Sequence, residues 1–152
     1  VRRFIKANEL DVLVIDHLGI VKNDTHTAMK RNDLLQHFSM RVAGLLKDCD
    51  VAGLIMLQLK RSQNNEMPTM DSLGETSQYE KDAHLIYLLH QPDLQEPTKR
   101  VIVCAKARDA ESGVYPVNFS TKTTEFTSMT EQEVAQYQDR VNNNNNDIPM
   151  GF

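Results

Sequence analysis

The sequence predicts an α/β fold: a twisted, mainly parallel sheet with helices on both faces and an antiparallel hairpin at one edge. Three observations point there. Two near-continuous apolar runs, Val12–Ile15 and Val51–Leu57, flank a segment with helical periodicity. Apolar runs of that kind suit strands covered on both faces, and strand, helix, strand is the right-handed βαβ unit. Farther on, "RVIVCAKAR" and "GVYPVNFS" lie close enough to pair as a hairpin.

Taken in order, residues 1–9 read as the end of an amphipathic helix, with Val1, Phe4 and Ile5 opposite Arg2, Arg3 and Lys6. Residues 11–16 form a central strand buried on both faces. After the polar "VKNDTHT", Thr25 or Thr27 is positioned to cap a helix running to about Lys47. Its stripe is Leu34, Leu35, Phe38, Val42, Leu45 and Leu46, at three- and four-residue spacing. "VAGLIMLQL" is the second strand, ending near Gln58. The polar stretch 60–77 is long enough to be functional or mobile. Tyr79–Asp82 suits a helical turn, "HLIYLLH" a third strand, and the hairpin strands follow a two-proline turn. Residues 130–141 suit a polar helix, and "NNNNND" a flexible linker.

Composition sets bounds. Apolar residues make up 40% and charged residues 25%, which suits a globular domain. A net charge of −4 excludes a uniformly basic nucleic-acid coat but leaves room for a local basic patch. Cys49 and Cys104 match no metal or redox spacing and read as buried, reduced thiols of a cytosolic protein. No apolar run is long enough for a membrane span, so no membrane partner is expected. The first residue is Val, which suits a processed, trimmed or partial chain.

Candidate chemistry lies at strand ends. Asp16 closes the first strand, where open α/β sheets place ligands. A carboxylate there can hold a magnesium-bound water beside phosphates. Alone, an Asp in that place is more often a turn former. Gln58, an amide after Leu, Ile and Met, can position a water or contact a phosphate, or simply satisfy backbone. Lys106 and Arg108, two residues apart at a strand end, share a side and can reach one anion, or form a solvated basic edge. His17 can touch a nucleotide next to Asp16, though packing is the commoner role. His26, His37 and His90 lack metal spacing.

The order of these pieces resembles a known family, the C-terminal ATPase domain of DnaB-like replicative hexameric helicases, which has a RecA-like core. "VLVIDHLGIV" resembles its Walker B strand, and "LIMLQLKRS" its sensor strand. "MDSLGETSQYEKDAHLIYLL" is similar to the following loop and strand, and "VIVCAKARDAESGVYPVNF" to the Lys-x-Arg finger and final hairpin. "DHLGIV" also resembles phage primase-helicases, which implies a phage-like source. The resemblance spans roughly residues 1–126.

The resemblance implies roles. Asp16 coordinates Mg2+ with ATP, and His17 lies beside that nucleotide. Gln58 acts as the sensor between nucleotide and DNA. Lys106 and Arg108 reach the γ-phosphate held by a neighbouring subunit. Gly74, Glu75, Thr76 and Ser77 match the loop that contacts single-stranded DNA. Gly74 stands where the family has Arg and Ser77 where it has Gly, so Lys60 and Arg61 are candidates to supply the missing charge. His84 replaces an expected Asp. Implied partners are single-stranded DNA, a hexameric ring of identical subunits, and a primase or helicase loader, in the cytoplasm of a bacterial or phage-infected cell.

The family's phosphate-binding loop, Walker A, lies upstream of Walker B. No Gly-Lys pair occurs in this sequence. The expectation is therefore a partial, P-loop-type domain over 1–128, inactive alone, a polar extension over 129–141 and a disordered tail over 142–152. The tail's "DIPMGF" also resembles the partner-recruiting tips of single-strand binding proteins. Two alternatives stay open: another RecA-type ATPase of the recombinase or clock type, or a non-catalytic subunit lending an arginine finger to a partner ATPase.

Overall fold

The computed structural model describes residues 1–20, 30–60, 65–74 and 77–143. Thr25, His26, Thr27, Arg61, Glu75, Thr76 and most of the Asn-rich tail lie outside the described residues. The chain forms two compact units, one of residues 1–60 and 71–83, the other of 61–70 and 84–152.

In the first unit, α1 (Arg2–Ala7) is followed by β1 (Val12–Ile15), a single 3-10 turn (Leu18–Ile20), α2 (Arg31–Cys49) and β2 (Ala52–Ile55). A second short turn (Met70–Leu73) precedes α3 (Gln78–Asp82). β1 and β2 pair in parallel, Val12 opposite Ala52 through Ile15 opposite Ile55. The 19-residue α2 is the crossover between them. Its apolar stripe is the side that packs: Leu35 is 1% exposed and clusters with Leu18 and Tyr79. Phe38, Val42, Ile15, Ile55 and Leu57 pack around that cluster. A Cβ on Gly53 would collide with the Leu46 side chain, so the bare glycine is what lets α2 lie so close to β2. Ser39, buried on α2, donates to Asp82 at 2.6 Å, and Gln78 donates to the same carboxylate at 2.7 Å, tying α3 to α2.

Several expectations need correction in this unit. β1 is not covered on both faces: Val12 and Val14 are 54% and 53% exposed, with Leu54 of β2 beside them. Among the described residues a two-stranded sheet with one packing helix covers only one face. β2 ends at Ile55, so Gln58 lies three residues past the strand. In α1 only Ile5 is buried, whereas Val1 and Phe4 are exposed. α2 begins at Arg31, with Lys30 at its N-cap and no capping side chain.

The second unit contains β3 (Leu85–His90), β4 (Lys99–Ala107), β5 (Gly113–Phe119), β6 (Phe126–Ser128) and α4 (Glu131–Asn143). The strands form one antiparallel sheet in the order β3-β4-β5-β6. The antiparallel part is thus larger than the expected hairpin. The connection "QPDLQEPT" after β3 is too short for a crossover, so β4 can only return antiparallel. β3 alternates, with Ile86 and Leu88 buried and Leu85, Tyr87 and Leu89 exposed. Leu88, at 1%, and Val101, at 0%, are the most enclosed of the described side chains in this unit. β6 has no apolar run; it is held by pairing with β5 and by the Phe119–Phe126 ring contact at 4.8 Å. Burial pushes the half-buried His90 imidazole below its ordinary pKa.

α4 starts with a capping box. Glu133 accepts from the Thr130 amide at 2.8 Å and hydroxyl at 3.0 Å, while Thr130 Oγ1 accepts from the Glu133 amide at 3.3 Å. Glu133 also accepts from Asn118 of β5 at 3.2 Å. These bonds, the Thr130 amide's foremost, hold its carboxyl below the usual range. α4 runs through Asn142 and Asn143, which the sequence placed in the tail.

Tyr137 on α4 has a buried hydroxyl with no hydrogen-bond partner among the described residues. Burial, and secondly the Glu96 carboxylate, push its pKa up to about 12. A raised folded-state pKa contributes stability that is complete below pH ~10, the phenol's ordinary value, and is lost as pH rises toward 12. Tyr137→Phe is therefore expected to hold or raise stability at pH 7 by up to about 1 kcal/mol, since it removes an unsatisfied hydroxyl. It should also flatten the alkaline decline. Urea unfolding at pH 7 and at about pH 10.5, just above the ordinary phenol pKa, checks both; a marked loss at pH 7 would mean the hydroxyl has a partner.

Candidate functional site

In the first unit the parallel pairing continues past the strand ends. The Met56 amide donates to Ile15 O at 2.9 Å, and the Leu18 amide to Met56 O at 3.2 Å. This holds the turn after β1 beside residues 56–58. Leu18 is 2% exposed and anchors the turn in the core. Asp16 and His17 are joined by a cis peptide bond. Asp16 is exposed at the carboxyl end of β1, and His17 is half-buried.

His17 lines a cleft of about 170 Å³ together with Gln58, Lys60, Gly74 and Arg31, among others. The structure thus brings together four residues picked from sequence, His17, Gln58, Lys60 and Gly74. Asp16 does not line the cleft but adjoins it through His17. Gln58 reaches it from the extended chain after β2. Its exposure means a buried-amide role is not what places it there. Lys60 is fixed by its own backbone, its amide donating to Ser72 O at 2.8 Å, and its Nζ lies 3.5 Å from Asp71 O. Ser77 precedes α3 as its N-cap and makes no side-chain cap bond.

Gly74 has φ +80°, and a Cβ there would come within 2.8 Å of the Lys60 side chain. This gives a physical reason for the glycine: any side chain would strain the backbone and push against Lys60. Gly74→Ala is expected to cost about 1–2 kcal/mol from the left-handed backbone alone. Lys60→Met, which keeps the stem, should cost far less. Thermal unfolding of the two variants separates backbone strain from loss of charge.

Arg31 was missed by sequence reasoning. It opens α2, and its guanidinium lies 3.5 Å from Gly19 O. One arginine at a helix start looks like any solvated cation, so only the tertiary path reveals its place.

Lys106 and Arg108 belong to the second unit. A β-bulge separates the pairs Tyr87–Cys104 and Ile86–Lys106, so Ala105 is the extra residue. Directly opposed residues share a face. The bulge therefore puts Lys106 on the face of Ile86 and Leu88, where plain alternation from Cys104 would put it on the other. Lys106 is half-buried. The Arg108 amide donates to His84 O at 3.1 Å, which fixes its backbone just beyond the strand while the residue remains exposed. His84 thus has a backbone role. Cys104 is buried but Cys49 only partly, a small departure from the expected pair of buried thiols.

Among the described residues no three His, Cys, Asp or Glu side chains gather as a metal site. A lone exposed carboxylate such as Asp16 fits a magnesium ion that keeps several waters and takes its other ligands from phosphates. It does not fit a caged ion. No described helix is long and apolar enough to cross a membrane.

Comparison with known proteins agrees with this architecture. Residues 1–128 match the DnaB-like helicase C terminal domain model. The chain is 23% identical over 136 residues to the replicative DNA helicase DnaB of Geobacillus stearothermophilus, covering 84% of this chain and 30% of that protein. It is 26% identical over 137 residues to a probable plasmid replicative DNA helicase of Chlamydia psittaci, covering 85% and 30%. Among solved structures, a DnaB-like replicative helicase described with its interactions with primase matches with TM-score 0.73 at 20% identity, over 85% of this chain and 34% of that one. A second solved structure, of an ATPase domain, matches with TM-score 0.72 at 21% identity, over 84% and 49%. These share the RecA-like fold. The chain spans less than a third of the length of the curated relatives it matches. The match over residues 1–128, together with the parallel β1–β2 pair and its cleft, leads to one conclusion: the chain belongs to the DnaB-like helicase C-terminal domain family.

Proposed function

We propose that this chain is the part of a replicative helicase ATPase domain from Walker B onward. In the full-length protein, ATP hydrolysis around a hexameric ring drives translocation on single-stranded DNA and separation of the duplex. Family membership supports the reading. One observation carries it further: the turn after β1, the amide of Gln58 and the loop at Gly74 share a cleft. A sensor must touch both the nucleotide side and the DNA side, and the presence of Gln58 in the same cleft as His17 and Gly74 supports that role.

In this reading Asp16 holds Mg2+ through water beside the ATP phosphates, with His17 next to it. Lys60, Arg61 and the loop of Gly74, Glu75, Thr76 and Ser77 contact DNA phosphates. Lys106 and Arg108 act on the γ-phosphate bound by the adjacent subunit. A primase or a helicase loader fits as a further partner. Residues 1–128 form the partial ATPase domain, and on its own the chain is expected to lack ATPase activity, because its sequence contains no Gly-Lys phosphate-binding loop.

The test is a strand-separation assay on the full-length protein with a forked duplex, ATP and Mg2+, alongside its mass in solution. Unwinding by a hexamer, abolished by Asp16→Asn, is the expected result. A monomer or dimer with DNA-independent ATPase activity would overturn the reading.

A further inference from the structure

Tyr79 of α3 lines the cleft of the first unit and also belongs to its core, packed with Leu18 and Leu35. Local forces do not explain why α3 sits there. It has five residues, and its N-cap, Ser77, makes no side-chain cap bond. A helix that short does not hold itself in water. Its last residue is an acid, Asp82, which the negative end of a helix dipole disfavours. The position of α3 must therefore come from tertiary contacts within this unit.

Asp82 makes those contacts with both carboxylate oxygens. Oδ2 accepts from the Ser39 hydroxyl at 2.6 Å and Oδ1 from the Gln78 side-chain amide at 2.7 Å. The Ser39 distance is that of a hydrogen bond to a charged acceptor, about twice as strong as a neutral one. Ser39 lies in the middle of α2 and is 7% exposed, the one buried polar side chain among the described residues. A buried hydroxyl without its partner is costly, so α2 depends on Asp82 as α3 does. Tyr79 and Asp82 stand three residues apart, on one side of the helix. The apolar contact of Tyr79 is non-directional. The bonds of Asp82 fix the rotation of α3 about that contact.

We propose that Asp82 is a positioning residue: bonded to Ser39 of α2, it sets the angle at which Tyr79 stands in the cleft it shares with Gly74. In the full-length protein this link makes ATP turnover respond to single-stranded DNA. The positioning stands on the geometry of this unit, and its effect on turnover rests on the helicase reading. The route is contiguous. Ser77, from the proposed DNA loop, is the N-cap of α3, and Asp82 at the other end of α3 bonds α2. α2 in turn is the crossover between β1, which ends at Asp16, and β2, which leads to Gln58.

The test measures ATP turnover of the full-length protein with and without oligothymidylate. Asp82→Ala should lower the DNA stimulation by roughly fivefold or more, while basal turnover stays within about twofold. Asp82→Asn should keep the stimulation, because an amide of the same size can accept from Gln78 and donate to Ser39 Oγ. Ser39→Ala, which removes one of the bonds, should give a smaller loss. Added to Asp82→Ala it should change nothing further, because the two residues share that bond. Unchanged stimulation in Asp82→Ala overturns the proposal. So does an equal fall of basal and stimulated turnover, the mark of a general structural tie. Should Asp82→Ala misfold, Ser39→Ala decides, with unchanged stimulation overturning the role.

A second arm separates this role from the helicase reading. A full-length protein whose ATP turnover ignores single-stranded DNA would end that reading and leave the geometry untouched. Hydrogen exchange in the 152-residue chain then tests the positioning directly. The Lys81 and Ala83 amides, bonded to Ser77 O and Tyr79 O, should exchange faster in Asp82→Ala, and the Tyr79 ring signals should shift, with exchange along α2 unchanged. Unchanged exchange at Lys81 and Ala83 overturns the positioning role, as does faster exchange throughout α2.

Discussion

Arg108→Ala in the full-length protein is expected to lower ATP turnover by roughly 10³- to 10⁵-fold, the range for an arginine supplied to a transferring phosphoryl group. This follows from the proposed role of Arg108 as a finger reaching the neighbouring subunit. The backbone supports the assignment. The Arg108 amide is held by His84 O at 3.1 Å, so its position is set by the sheet, while the residue itself is exposed beyond β4. A group that acts on charge developing in the transition state should change kcat far more than KM. Lys106→Ala should follow the same pattern with a smaller loss. A subunit-mixing experiment gives the sharper readout. Rings doped with Arg108→Ala should lose activity faster than the fraction of variant added, because in the proposed arrangement each variant subunit disables its neighbour's site. Near-normal turnover in pure Arg108→Ala would remove the residue from the reaction.

Leu35→Ala should give the largest loss of stability, about 2–5 kcal/mol. Leu35 is 1% exposed and packs with Leu18 and Tyr79, so truncation leaves a cavity that its fixed neighbours cannot close. That cost is a large share of the ~5–15 kcal/mol by which a domain is usually stable. Met40→Ala, on the same helix but 54% exposed, should stay within about 0.5 kcal/mol. Urea unfolding of both variants makes the comparison. Function should follow packing here. Leu18 directly follows His17, and Tyr79 lines the cleft, so Leu35→Ala is expected to loosen the cleft before the chain unfolds globally. Equal stability of the two variants would mean that α2 does not carry this core.

Part of the cleft was legible in sequence, since His17, Gln58, Lys60 and Gly74 were all picked from local signals. Asp16 ends an apolar run, Gln58 interrupts the expected pattern, and Lys106 and Arg108 stand two apart at the end of β4. The helical stripe through Leu35, Phe38 and Val42 is the side that packs, since a 3.6-residue period leaves only one face available for burial. Less legible were features that depend on a partner strand. Ala105 carries no mark of a bulge, yet the bulge decides which face Lys106 occupies. β6 has three unremarkable residues and exists through its pairing with β5.

The sequence by itself determined the order of the motifs, the family they resemble and the two strand ends where chemistry is proposed. Each of these is written in the period and type of neighbouring residues. Only the tertiary structure decided that four strands run antiparallel, that β1 leaves Val12 and Val14 half exposed, and that Arg31 meets His17, Gln58 and Lys60 in one cleft. The reason is that burial periodicity constrains each segment separately. Which segments become neighbours depends on chain reversals, register and close approaches such as those at Gly53 and Gly74, where the presence or absence of one Cβ sets how near two segments can come.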